Sequence, residues 1–120
     1  MRTTQVVDAD RAEQFAAGVE AALAAIGGKW KLLILAHLAC GTRRYGELRR
    51  LIPAITEKML IQQLRELEAD GIVKRIDYAT VPPKVEYSLT EYDDSIRQGL
   101  EALSEWGSAH VAQITKVTIR

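Results

Sequence analysis

Cysteine is almost missing from this chain of 120 residues: Cys40 is the only one. A single thiol excludes an internal disulfide and any metal site built from several cysteines. The plainer reading of Cys40 is a small, partly buried residue near a helix end. A disulfide between chains or a lone reactive thiol is the chemistry left to it. No run of about 18 apolar residues occurs, so no membrane-spanning helix is expected. The opening MRTTQVVDADRAEQ lacks the apolar stretch of a secretory signal, so a cytoplasmic protein with no membrane partner is expected. Net charge is missing too, since 16 Lys+Arg balance 16 Asp+Glu. That balance argues against a generally basic nucleic-acid coat. There is no internal repeat or low-complexity tract. The length suits one domain with its own core.

The charges that are present are unevenly placed. Residues 29–84 carry 11 basic and 6 acidic side chains, a net +5, and the two flanks together carry a net −5. A basic middle between acidic ends fits a protein that meets phosphate with one face. Chance segregation of solvated charges would look similar, so the pattern of residue types has to decide.

The decisive stretch is ITEKMLIQQLRELEADGIVKRID, residues 55–77. Leu60, Leu64 and Leu67 recur at helical spacing and predict a buried stripe. Thr56 is placed to cap the helix start, and Gly71 to end it in a left-handed conformation. A helix over 56–70 is therefore expected. Lys58, Met59, Gln62, Arg65 and Glu66 fall away from the leucines. Gln pairs bidentately with adenine, and Arg or Lys with guanine, so such a face suits the DNA major groove.

The flanking segments read as a frame for that helix. Residues 1–10 are expected to be a flexible N-terminus, and 113–120 a C-terminal tail. Residues 11–26 are alanine-rich, with Phe15, Val19, Leu23 and Ile26 at helical steps, and Gly18 is a candidate break. Trp30, Leu33, Ile34, Leu35 and Leu38 make 29–40 apolar nearly all round, as a central buried helix is. A short strand is expected at 42–45. A short helix follows, with Leu48, Leu51 and Ile52 inward, Arg49 and Arg50 outward, and Pro53 at its end. Two helices joined by the tight turn at 53–56 form a helix-turn-helix unit. Val85, Tyr87 and Leu89 alternate after Val81-Pro82-Pro83, which predicts a β-hairpin wing over 78–87 with Lys84 at its tip and Lys74 and Arg75 at its base. Thr90 and Asp93 read as the cap of a last helix, about 90–112. Its stripe of Tyr92, Ile96, Leu100, Leu103, Trp106 and His110 or Val111 has coiled-coil-like spacing. The fold class expected is mainly α with a small β-hairpin, a winged helix-turn-helix. The helices at 11–26 and 90–112 form a dimer seam through Phe15, Val19, Leu23, Tyr92, Ile96, Leu100, Leu103 and Trp106. Packing back onto the same core is the plainer alternative for each of these residues.

Candidate DNA contacts are Thr56, Lys58, Gln62, Gln63 and Arg65 on the recognition helix, Arg49 and Arg50 on the helix before it, and Lys84 on the wing. Gln62 points most directly away from the leucines and is the best base reader; Gln63 and Arg65 lie on the shoulders. Thr56 has an alternative role as a cap and nothing more, and Lys58 and Arg65 as solvated surface or i,i+4 partners. Arg43 and Arg44 are weaker candidates. Gly27-Gly28-Lys29 is not a phosphate loop, because the preceding strand, the spacing and the following Ser/Thr are missing. Trp30 and Trp106 read as core or seam residues. His37 and Cys40 are three apart, but two ligands without a third make no metal site. No catalytic residue, cofactor or metal is assigned.

IGGKWKLLIL (26–35), TRRYGELRR (42–50), ITEKMLIQQLRELEADGIV (55–73), VPPKVEYSLTE (81–91) and EALSEWG (101–107) together resemble the HxlR-type bacterial transcriptional regulators. The resemblance covers roughly residues 17–107. It implies a homodimer on a pseudo-palindromic operator in double-stranded DNA, with a recognition helix of each subunit in the major groove and the wing at the backbone or minor groove. It also leaves room for a small-molecule effector that the residues do not name. Some members sense oxidants through a cysteine in a CPVE-like context, where this chain has Ala17-Gly18-Val19-Glu20. The alternative to a regulator is a winged-helix module that binds protein instead of DNA. A small enzyme would need a nucleophile–base or carboxylate pair, and no convincing one is present.

Overall fold

The computed structural model describes residues 9–91 and 95–119, with side chains to residue 113. The chain runs α1 (Ala9–Ile26), α2 (Lys29–Ala39), β1 (Arg43–Arg44), α3 (Tyr45–Leu51), α4 (Glu57–Ala69), β2 (Val73–Asp77), β3 (Val85–Leu89) and α5 (Ile96–Ile119). Expected and observed order agree: a mainly helical chain with a small antiparallel sheet. The sheet has three strands in the order β1-β3-β2, with Arg43 opposite Tyr87 and Arg75 opposite the same residue on the other side.

The core is built from one face of each central element. Ile34, Leu35 and Leu38 of α2, Leu48 of α3 and Leu60, Leu64 and Leu67 of α4 are buried, with Ile52, Ile55, Ile72, Val73 and Leu89 closing the cluster. Each fully buried leucine contributes on the order of 1.5–3 kcal/mol relative to its exposed state. The all-round burial expected of the central helix is corrected at Leu33, and the inward placement of Leu51 is corrected too. Both are exposed, because α2 and α3 are covered on fewer sides than their composition suggests. Met59 departs in the other direction. It packs against the core, since it lies on the flank of the leucine stripe.

Local chemistry sets the element ends. Thr56 Oγ1 accepts the Met59 N–H at 3.1 Å and starts α4. Gly71, at φ 75°, ends it in the left-handed region that glycine enters without steric cost. At α3 the Glu47 carboxylate accepts the Arg44 N–H at 2.8 Å, half of a capping box.

The outer helices differ from the sequence expectation in extent. Gly18 does not break α1, which is continuous from residue 9. The last helix begins at Ile96 and reaches Ile119, so residues 113–119 are helical instead of a tail. Thr90 continues the sheet: its N–H donates to the Ile72 carbonyl at 3.2 Å and its hydroxyl to the Gly71 carbonyl at 2.9 Å. The expected Asp93 cap and Tyr92 lie outside the described residues. All of residues 9–24 are exposed, and α1 meets the core only through Ala25 and Ile26. Ile96 and Leu100 lean on the core, whereas Leu103, Trp106 and Val111 stand in solvent. The radius of gyration, 17.8 Å, exceeds the roughly 14 Å of a compact domain this long, as projecting helices require.

Candidate nucleic-acid interface

With three leucines of α4 fixed in the core, the opposite side of that helix must face outward. Lys58, Gln62 and Arg65 are exposed along it, as the spacing predicts. Ile61, half-buried between Gln62 and Arg65 in the same hollow, belongs to this face and was missed. An apolar residue interrupting a polar face was the available signal. Such a side chain can meet a thymine methyl group. A second hollow of about 550 Å³ lies between α4 and the sheet, lined by Tyr45, Ile61, Arg65, Arg75 and Tyr87 among others. The Tyr45 hydroxyl there is buried with no hydrogen-bond partner among the described residues.

The candidate contacts are not equally available. Lys58 and Arg65 carry no ion pair among the described residues. Thr56 only accepts in its cap, so its own O–H stays available to donate to a phosphate. Arg50 is exposed, while Arg49 approaches Glu57 at 3.7 Å. An exposed pair of this kind is weak enough, about 0–1 kcal/mol, to be given up for a phosphate. Gln63 is turned to the flank, where its amide donates to Met59 Sδ at 3.6 Å.

The wing corrects the placement of Lys84. The residue lies where the loop returns to β3, with its carbonyl accepting the Tyr78 N–H at 3.0 Å and its ammonium 4.4 Å over the Tyr78 ring. Tyr78 in turn donates its hydroxyl to Glu86 at 2.7 Å, and that bond pushes the phenol pKa up. The tip itself is Val81-Pro82-Pro83, with Val81 fully exposed. At the base Lys74 is exposed and Arg75 lies 3.9 Å from Asp77.

One contact behind the face was not legible from spacing. Lys31 of α2 reaches Glu66 of α4 at 2.7 Å, and the other Glu66 oxygen accepts from the Gln62 amide at 3.1 Å. The Lys31 hydrogen bond first, and the Gln62 amide next, hold the Glu66 carboxyl below the ordinary carboxylate pKa. Away from this face Cys40 is exposed, not partly buried, at the C-cap of α2. Arg97 donates to the Ala39 carbonyl nearby.

Comparison with known proteins bears on the family and the fold. The HxlR-like helix-turn-helix family pattern matches residues 25–115. The HTH-type transcriptional regulator YtcD of Bacillus subtilis is 57% identical over 96 residues, 80% of this chain and 76% of that protein. The crystal structure of a YtcD regulator superposes with a TM-score of 0.74 at 58% identity, covering 78% of this chain and 96% of that one. The redox regulator HypR in its reduced form gives 0.77 at 47% identity, covering 82% and 98%.

Proposed function

The chain belongs to the HxlR-like helix-turn-helix family, and from that premise we propose that it works as a homodimer that places two copies of α4 in successive major grooves of a pseudo-palindromic operator. It is a DNA-binding transcriptional regulator and not an enzyme. The observation that carries the finer reading is the uncovered strip Lys58, Gln62 and Arg65 on the side of α4 opposite its buried leucines. Gln62 reads a base, with Ile61 beside it. Lys58, Arg65, Arg50 and the Thr56 hydroxyl meet the backbone. Arg49 joins them once released from Glu57, and Gln63 lies further from the groove. Lys84, held over Tyr78, steers the wing, whose apolar tip lies along the backbone or minor groove.

The seam is the second part of the proposal. Phe15, Val19, Leu23, Leu103 and Trp106 form exposed apolar surface on the two projecting helices. Isolated exposed apolar residues are ordinary, but a stripe of large ones marks an interface. A second copy covers it, with Ile96 and Leu100 at its inner end. No helix among the described residues is long and apolar enough to cross a membrane, and a regulator of this kind acts on the chromosome in the cytoplasm. HypR is a redox regulator by description; here Ala17 stands where the resemblance places a sensor cysteine, so we assign no such role to this chain. An effector, if it binds, has an apolar hollow of about 510 Å³ between α1, α2 and α5, lined by Ala25, Ile26, Leu32, Ile96 and Leu100 among others.

Gel-shift titration against the gene's own upstream region at two salt concentrations tests the reading. Binding that weakens steeply as salt rises is expected, because each neutralised phosphate releases counterions. Absent or salt-insensitive binding would favour a protein-interaction module.

A further inference from the structure

The outward strip of α4 contains a carboxylate, which is an odd residue to bring toward phosphates. Glu66 has both oxygens engaged within the protein. Oε1 receives the Lys31 ammonium at 2.7 Å, and Oε2 accepts from Gln62 Nε2 at 3.1 Å. The Lys31 side chain is only 12% exposed, so its contact with the carboxylate is largely shielded from water. Lys31 lies on α2, whose Ile34, Leu35 and Leu38 are locked in the core. The carboxylate is therefore tethered to a helix anchored in the core.

That tether constrains Gln62. A primary amide offers two N–H donors and one acceptor oxygen, and a free amide can present either end. An ionised carboxylate only accepts, so the Gln62 nitrogen must face Glu66. One N–H is consumed. The other N–H and Oε1 remain, and this donor–acceptor pair is what adenine N7 and N6 require. The same Oε1 meets guanine O6 as acceptor against acceptor.

We propose that Glu66 is a positioning residue for base reading: held by Lys31, its carboxylate fixes the Gln62 amide in the orientation that selects adenine over guanine in the major groove. The inference rests on Gln62 being the base reader, and the experiment separates the two. A duplex is selected by the wild-type protein from a random pool, and the affinities of Gln62→Ala, Glu66→Met, Glu66→Gln and the double variant Gln62→Ala/Glu66→Met are measured on it. The same measurements are made on duplexes with each A·T pair changed to G·C, and on random duplex. Wild type is expected to prefer adenine about tenfold or more at one position per half-site. Glu66→Met loses that preference while its circular dichroism is unchanged and its affinity for random duplex is kept or raised. Glu66→Gln, whose amide oxygen can accept the same bond, retains part of the preference. In the Gln62→Ala background Glu66→Met changes the preference no further. If Gln62→Ala abolishes the preference but Glu66→Met leaves it intact, or if the two losses add, the positioning role is overturned and base reading by Gln62 stands. If Gln62→Ala itself keeps the full preference, both fall.

Discussion

Leu60, Leu64 and Leu67 of α4 are at most 2% exposed, whereas Phe15 of α1 and Leu103 and Trp106 of α5 stand 53–77% exposed. Both sets recur at helical spacing, and both belong to helices of ordinary amphipathic type. The difference is where the cover comes from. α4 is enclosed by α2, α3 and the sheet of its own chain, so its polar side is directed outward by internal packing alone. The outer parts of the projecting helices have no such cover among the described residues. The lesson is that a periodic apolar stripe identifies a buried face but does not say which molecule buries it.

The predictions that follow probe this contrast. Leu64→Ala should cost about 2–5 kcal/mol of unfolding free energy, because it opens a cavity in a closed core. Urea denaturation at several protein concentrations would check it, and a cost below about 1 kcal/mol would mean that α4 is not anchored as described. Leu103→Asp combined with Trp106→Asp should leave the helical signal largely intact. Sedimentation equilibrium should then give the mass of one chain, and operator affinity should fall about a hundredfold or more as the linked second site is lost. A dimer that survived would move the seam elsewhere. Lys58→Ala should weaken selected and random duplexes alike and lower the salt slope by about one unit; a sequence-selective loss would make Lys58 a base reader instead.

The smallest effect concerns pH. The Glu66 carboxyl titrates below its ordinary 4.5 in the folded protein, with the Lys31 hydrogen bond as the leading cause. A depressed carboxylate pKa gives stability that is present above the unfolded-state value and is lost as pH falls through the folded-state value. Stability should therefore decline below about pH 4.5 in the wild type, and that part of the decline should be absent in Glu66→Gln. Identical acid profiles would show that the Lys31–Glu66 contact contributes nothing measurable.

Much of the fold could be read from local rules. The leucine spacing, the Thr56 cap and Gly71 fixed α4 to within a residue, and Val85, Tyr87 and Leu89 marked the strand after the prolines. Thr90 does more than its acidic neighbours suggested: its amide and hydroxyl complete the pairing beside Gly71 and Ile72, a contact to residues far back in the sequence. Gly18 costs about 1 kcal/mol in a helix, too little to break one otherwise rich in alanine. The Lys31–Glu66–Gln62 chain was out of reach, because its first link joins two helices 35 residues apart in sequence. Lys84 was placed by counting from the prolines, which could not show that its side chain turns back over Tyr78.

The most direct measurement is a hydroxyl-radical and guanine-methylation footprint of the wild-type protein on a selected operator. Two protected major-groove patches on one face of the duplex, about one helical turn or roughly 34–36 Å apart, are expected from paired recognition helices. A single patch, or protection confined to the minor groove, would contradict the account.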